Sequence, residues 1–385
     1  MKKFVSVLLF CVIFVFSAVV PVNAADKKQT LPVTVKAKSA VLMDGCSGKV
    51  LMNVNMNEKL YPASVTKIMT MLLVSEALDS GKISFEDKVT ASANAVSKGG
   101  SQIWLKEGET MTVDELFKAM AVYSANDACA ALAELTAGSE EAFIVMMNER
   151  AAQLGMKNTH FENCTGLDDT AENHKTTAYD IALMAKELMT HEFITKYTTI
   201  WMDSLRGGET QLVNTNKLVR FYPGCTGLKT GTTSKAGCCL CATAERNGTS
   251  LIAVVLGSDN STDRFESAKA MLNYGFANWS AVVPKVSTSQ LAEVNIKNGR
   301  ERTVMPQLPA SFSVLIPKGR ENDIVQDVSL AASVEAPVES GQKLGKIDIS
   351  LDGELLGSYV LSAPHYVEKN TFFSVLTDYL KVFSK

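Results

Sequence analysis

Apolar side chains dominate the start of the chain: Phe4 to Val20 carries no charge, Lys2 and Lys3 precede it, and Val22-Asn23-Ala24 follows with short side chains. A basic start, an apolar stretch and a small-residue end form a secretory signal, so residues 1–24 are read as a signal peptide removed after Ala24. The alternative is an uncleaved anchor, because a stretch of about 17 residues is near the lower limit for a membrane span. Cys11 follows Phe10 inside this run, which does not fit a lipid-attachment site.

Further along, the spacing of apolar positions changes several times. Residues 38–57 read as two strands around a turn marked by Asp44-Gly45 and Ser47-Gly48. From Pro62 to Ser80 the period is helical, with Val65, Ile68, Met69, Leu72 and Leu73 along it and Gly81 just past its end. Apolar residues cover most of that helix's circumference, which predicts burial within a domain. Thr112-Val113-Asp114-Glu115 is a capping box that opens a second helix. Further helices are expected at 127–137, 140–154, 178–189 and 262–278, and strands over 211–220 and 237–257.

Beyond Pro284 the texture shifts. Residues 285–362 hold short alternating runs such as Phe312 to Ile316 and Lys346 to Leu351, punctuated by Asn298-Gly299 and Asp352-Gly353, and predict a small all-β domain. The segment 366–385 returns to helical period, with Phe372, Val375, Leu376, Tyr379, Leu380 and Phe383 on one side. Its charges and length are wrong for a span. An amphipathic helix lying on a membrane face fits this pattern.

The whole chain has 385 residues, 38 basic and 41 acidic. Removal of residues 1–24 takes two lysines and leaves a mildly acidic mature protein, long enough for two domains and without the basic footprint of a nucleic-acid binder. Seven cysteines remain: Cys46, Cys129, Cys164, Cys225, Cys238, Cys239 and Cys241. An odd count leaves at least one unpaired within the chain. Their spacing is not a zinc pattern, and the site chemistry below calls for no metal and no cofactor. Buried free thiols are one reading; a bridge from Cys225 to the 238–241 cluster is the other.

Candidate chemistry begins at Ser64-Val65-Thr66-Lys67. Residues three apart share a helix face, so the Lys67 amine reaches the Ser64 hydroxyl. A serine hydroxyl needs a neighbouring base to act as a nucleophile, and lysine serves only when neutral, which burial and a nearby cation favour. Ser340-Gly341-Gln342-Lys343 matches the same spacing but lies in a glycine-containing connection of the β domain. Two further strings follow: Ser124-Ala125-Asn126 after the second helix, and Lys229-Thr230-Gly231 before a strand-like run. Ser92-Ala93-Asn94 imitates the former. Ser124, 60 residues after Ser64, has the better separation and context.

These three strings in order resemble the SxxK, SxN and KTG set of penicillin-binding proteins and serine β-lactamases. Tyr61-Pro62-Ala63-Ser64, Asn126-Asp127-Ala128, Gly155 to Phe161 and Leu228 to Gly231 are most similar to the type-5 low-molecular-mass D-alanyl-D-alanine carboxypeptidases. The resemblance covers nearly the whole chain. It implies a mixed α/β transpeptidase/β-lactamase-like catalytic domain over residues 30–282, an antiparallel sheet flanked by helices. The all-β domain and the amphipathic anchor helix would follow. It also implies roles. Ser64 would be acylated, with Lys67 as its base; Ser124 would relay a proton to the departing D-alanine; Asn126 would hold Lys67 and the substrate amide. Lys229, Thr230, Gly231 and Thr232 would line the strand beside the peptide, Ser64 and Thr232 would give oxyanion N–H groups, and Arg264 would meet the substrate carboxylate.

Rival chemistries fit less well. There is no GxSxG elbow, and His191-Glu192 is followed by Thr195 where a zinc motif needs a second histidine. No Glu-x-x-Leu-Asn string follows Ser124-Ala125-Asn126, so the deacylating acid of a class A β-lactamase is missing and a β-lactam adduct should persist. The expected protein is an exported serine D-Ala-D-Ala carboxypeptidase acting on peptidoglycan pentapeptide stems and blocked by β-lactams. A cross-link endopeptidase and a catalytically silent wall-binding homologue are the alternatives.

Overall fold

The computed structural model describes residues 32–286, 291–309 and 312–372; the expected signal segment 1–24 and the expected tail helix from residue 373 onward lie outside them. Five strands build the central sheet: β1 (Ser39–Asp44), β2 (Val50–Val54), β3 (Cys225–Thr233), β4 (Gly237–Arg246) and β5 (Thr249–Ser258). Their order is β2-β1-β5-β4-β3, antiparallel throughout, which leaves β3 at an edge. The sequence reading of 237–257 as one strand is corrected to a hairpin. Asn247 and Gly248 both take positive φ, 50° and 75°, the conformation a tight two-residue turn requires.

Seven helices matter for the site: α1 (Lys67–Asp79), α2 (Val113–Lys118), α3 (Asn126–Ala137), α4 (Glu140–Gln153), α5 (Ala178–Leu188), α6 (Leu218–Phe221) and α7 (Ser261–Asn278). Both bonds of the capping box at Thr112 and Glu115 are present. Every residue of α1 from Lys67 to Ser75 is buried, among side chains of α3, α4 and α5. One apolar cluster runs from that helix through α5 to the inner strands β1 and β5. A strand over 211–220 does not form. Only Thr210–Val213 pairs, with Met202–Leu205, and α6 follows. The Asn214 side chain accepts from Asn216 N–H and the Asn216 side chain from Leu218 N–H, so two side chains replace the ladder that a longer strand would need.

After α7 come β6 (Trp279–Val282), β7 (Val314–Pro317), β8 (Val325–Leu330), β9 (Lys343–Leu351) and β10 (Glu354–Ser362). The strands β8, β9 and β10 make one antiparallel sheet; Val294–Lys297 lies between Thr303–Val304 and Ser333–Glu335 in another. Residues 279–282, placed with the catalytic domain by sequence, instead pair with β7. Pro284 marks a lost donor in sequence, whereas pairing depends on the partner strand. Residues 366–370, read as the head of the tail segment, run extended: Val367 bridges Val338 and Asn370 N–H donates to Asn298.

No disulfide joins the described cysteines. Register rules out the Cys225 bridge, because Cys225 faces Ala244 while Cys241 faces Lys229, about 13 Å further along the strand at the usual rise.

His174 is a buried structural histidine in this fold. Its Nδ1 accepts from Glu162 N–H at 3.0 Å, so the ring proton sits on Nε2 and is donated to Thr66 Oγ1 at 2.8 Å; Thr66 Oγ1 in turn donates to Ala63. Burial, helped by His160, lowers its pKa from 6.5 to about 4. Between those values the unfolded chain binds the extra proton, so this contribution to stability is present above about pH 6.5 and is lost as pH falls toward 4. The full loss is about 3 kcal/mol. Thermal unfolding from pH 7.5 to 4.5 should show a steeper decline for wild type than for His174→Ala; parallel curves would overturn the account.

Candidate active site

The segments that carry the three strings pack around the edge strand β3: the Ser64 turn lies against Gly231, and Thr215 links Thr230 to Val122, just before Ser124. Ser64 lies in a 3-10 turn, Ala63–Thr66, that feeds directly into α1, and Ala63 adopts a left-handed φ of 49°. The first helical residue, Lys67, has no exposed surface. Its Nζ lies 3.1 Å from Ser64 Oγ and donates to the Thr165 carbonyl at 2.7 Å. Burial is the main cause that lowers its pKa from that of an ordinary lysine. An uncharged amine that donates to Thr165 keeps its lone pair free for the Ser64 hydroxyl proton.

Opposite, β3 brings Lys229 into the same interior. Lys229 is 1% exposed and donates to the Thr230 carbonyl at 2.9 Å. Its pKa is held well below the usual lysine value by burial first, then by repulsion from Lys67 and Arg264. At Gly231 an added Cβ would fall 2.8 Å from Ser64 N and 2.9 Å from the Pro62 carbonyl. Any larger residue would push the strand off the serine turn, which is the physical reason for glycine in this string.

On the third side α2 ends in a π-type turn, Ala119–Tyr123, and Ser124 follows with a left-handed φ of 69°. Asn126 then opens α3. Its Nδ2 donates to the Gly99 carbonyl at 2.6 Å and its backbone N–H to Ser101, while its buried Oδ1 has no partner among the described residues. The expected contact from Asn126 to Lys67 is therefore not made here, and the Thr165 carbonyl takes that place.

Thr230 Oγ1 donates to Thr215 Oγ1 at 2.7 Å, and Thr232 Oγ1 donates to the Gly231 carbonyl. Arg264, on α7, is 8% exposed and turns Nη1 to the Gly231 carbonyl, Thr232 Oγ1 and the Cys239 carbonyl. Its Nε is buried without a partner among the described residues. Instead of standing free as a fork, the guanidinium braces the strand from behind. Thr233 Oγ1 and Lys235 Nζ, at the far end of β3, both bind Asp168, which ties the strand to the 163–168 loop.

The look-alike strings fall elsewhere. Ser92 caps a short helix by accepting from Ala95 N–H, and Asn94 binds Glu134 and Glu140. Ser340 is exposed in the β domain, against the Pro364 carbonyl.

Sequence reasoning missed Thr165, Thr215 and Asp168, which reach the cleft through loops and leave no local pattern. Asp127 was quotable only within a resemblance, although an acid at a helix start is a signal in itself. It is fully buried, and it accepts from Ile103 N–H at 3.2 Å, Leu105 N–H at 3.0 Å and Ala128 N–H at 2.9 Å. These bonds hold the 99–105 segment against Asn126. Asp127→Ala leaves three buried donors unpaired, at about 1–3 kcal/mol each. The variant should lose about 3 kcal/mol or more in chemical denaturation. A loss below about 1 kcal/mol would show that the carboxylate is not what fixes that wall.

Comparison with known proteins accords with this geometry. Residues 24–260 match the family described as D-alanyl-D-alanine carboxypeptidase, and residues 285–369 match the penicillin-binding protein 5 C-terminal domain. D-alanyl-D-alanine carboxypeptidase DacF of Bacillus subtilis (strain 168) is 42% identical over 380 residues, covering 98% of this chain and 97% of that relative. Penicillin-binding protein 5 of Haemophilus influenzae has a TM-score of 0.72 at 31% identity, covering 88% of this chain and 99% of that one. Penicillin-binding protein D2 of Listeria monocytogenes, solved in a cefotaxime-bound form, has a TM-score of 0.59 at 30% identity, covering 64% of this chain and 99% of that one. On this evidence the chain belongs to the D-alanyl-D-alanine carboxypeptidase family of serine peptidases.

Proposed function

We propose that this protein is an exported serine-type D-Ala-D-Ala carboxypeptidase that removes the terminal D-alanine from peptidoglycan pentapeptide stems and is acylated by β-lactams. The observation that carries the reading is the pairing of Ser64 with a fully buried Lys67 at 3.1 Å, next to a second buried lysine. In the proposed reaction Ser64 Oγ attacks the carbonyl carbon of the penultimate D-alanine while Lys67 Nζ takes its proton. The oxyanion meets the N–H groups of Ser64 and Thr232, worth about 10²–10³ in rate per donor. Collapse breaks the C–N bond; Ser124 passes a proton to the amine, and D-alanine leaves. Water then cleaves the ester and restores Ser64.

Substrate is held along β3. Asn126 is assigned the substrate amide, which agrees with its Oδ1 having no partner among the described residues. The terminal carboxylate is met by Thr230 and Thr232, with Arg264 supplying positive potential and fixing the Thr232 hydroxyl. The Listeria relative was solved in a cefotaxime-bound form, and the Ser64–Lys67 pair of this chain would likewise form a β-lactam ester.

Export rests on the pattern of residues 1–24, and attachment to the outer face of the cytoplasmic membrane on the amphipathic period of residues 370–385. No helix among the described residues is long and apolar enough to cross a membrane.

Penicillin treatment followed by peptide mapping should place the adduct on Ser64; a label on Ser92, Ser124 or Ser340 overturns the assignment. Lys67→Arg keeps the charge but supplies no proton acceptor, so acylation should fall about 10²–10⁴-fold with the fold intact, and a fall under about tenfold would exclude Lys67 as base. Because a lowered lysine pKa exposes the neutral form at lower pH, the wild-type acylation rate should rise with pH through a midpoint below the ordinary value of about 10.4.

Deleting residues 373–385 should move the mature enzyme from the membrane pellet to the soluble fraction while hydrolysis of a small D-Ala-D-Ala peptide is unchanged. A full-length mature protein that ignores anionic vesicles would sink the anchor.

A further inference from the structure

We propose that Glu140, which lies outside the three strings, is a positioning residue for the Ser64 chemistry: its one carboxylate ties the segment that holds Lys67 to the segment that holds Asn126. The inference deepens the carboxypeptidase reading above and rests on it. Glu140 is the first residue of α4 and is 7% exposed. Its two oxygens face different segments. Oε1 accepts from Cys164 Sγ at 3.3 Å, while Oε2 accepts from Lys98 Nζ at 2.5 Å and from Asn94 Nδ2 at 3.0 Å. Cys164 precedes Thr165, whose carbonyl takes Lys67 Nζ. Lys98 precedes Gly99, whose carbonyl takes Asn126 Nδ2. The partners of a single buried group thus stand one residue before each of the carbonyls that orient the candidate base and the candidate amide-binding side chain.

The Cys164 end is also held from its other side. Its carbonyl accepts from Thr70 Oγ1 at 2.7 Å and from Cys129 Sγ at 3.2 Å. Thr70 lies one turn beyond Lys67 on α1, and Cys129 one turn beyond Asn126 on α3. With its side chain on Glu140 and its carbonyl on two helices, Cys164 keeps the next carbonyl, that of Thr165, against Lys67. The Lys98 end is more sparsely held. Gly99 and Gly100 offer no side chain to anchor that run, so its position rests largely on the ion pair at Lys98 and on the bonds to Asn126. Asn94, from the string that imitates Ser124-Ala125-Asn126, adds its amide to the same carboxylate.

Burial alone would raise the pKa of Glu140, but the bonds from Lys98 and Asn94 hold it below the ordinary carboxylate value, so the group is charged at neutral pH. Hydrogen bonds to a charged partner are shorter and about twice as strong as neutral ones. Such a tie matters because displacing a reacting group by about 1 Å can cost about 10²-fold in rate.

The test uses the mature full-length enzyme with a small D-Ala-D-Ala peptide, and an unfolding midpoint is measured for every variant. Cys164→Ala removes the thiol bond to Glu140, so kcat should fall about fivefold or more with KM within about twofold. Cys164→Ser returns a donor to Glu140 and should recover kcat to within about twofold of wild type. Lys98→Met should raise KM about fivefold or more, and Glu140→Ala should show both losses. Should either of these two fail to fold, the Cys164 pair, which changes no charge, decides. The inference is overturned by variants that all stay within about twofold of wild type, or by a Cys164→Ser enzyme no better than Cys164→Ala. A folded Lys98→Met enzyme with unchanged KM also overturns it, as do losses that only track the unfolding midpoint. A wild type that releases no D-alanine removes the carboxypeptidase reading itself and this inference with it.

Discussion

In the proposed mechanism Lys67 acts as a neutral amine and has to be kept from water, and the surrounding fold meets that requirement. Lys67 begins α1, has no exposed surface, and finds the Ser64 hydroxyl and the Thr165 carbonyl as its hydrogen-bond partners among the described residues. Both groups can share a proton with a neutral amine. Among the described residues no carboxylate forms an ion pair with it, and an ion pair would have favoured the charged form. The surrounding structure follows from this choice. The helix is apolar on nearly all sides because the amine at its start must lie in the interior, and β3 runs so close to the serine turn that Gly231 admits no side chain.

Such an interior lowers stability. Two lysines, Lys67 and Lys229, are buried on backbone carbonyls, and Lys67 depresses the charged form of Lys229. Left-handed φ values at Ala63, Trp104 and Ser124 fall in the segments that build the cleft, and each such residue typically costs about 1–3 kcal/mol. The compensation is visible nearby. Asp127 satisfies three backbone donors, His174 holds Thr66 and through it the Ala63 carbonyl, and Asp168 anchors the end of β3. A large shared core beneath them resists relaxation of the strained positions.

The cysteines obey a different constraint. Five of the seven are buried, and Cys239 and Cys241 lie in β4 with thiol pKa values pushed up by burial, to about 11 for Cys239 and beyond that for Cys241. They behave as small apolar residues of the sheet, since a raised pKa keeps the reactive thiolate scarce. The odd count in the sequence pointed the same way, and the strand register removed the remaining bridge.

Local information determined much of this protein. Helix periods, the capping box at Thr112, the β texture after Pro284 and the three candidate site strings are written in residues close together in the chain, where spacing, propensity and turn chemistry act. The Asn247-Gly248 hairpin was equally local and was overlooked. The strand expected after residue 213 failed because two asparagine side chains competed for the backbone, a balance the apolar period does not record. Tertiary structure alone decided the rest: which carbonyl holds Lys67, that Asn126 turns to Gly99, that Arg264 braces the strand from behind, and that Trp279–Val282 joins β7. Each of these is a contact between segments far apart in sequence. Its energy depends on burial and orientation, which exist only once the chain has packed.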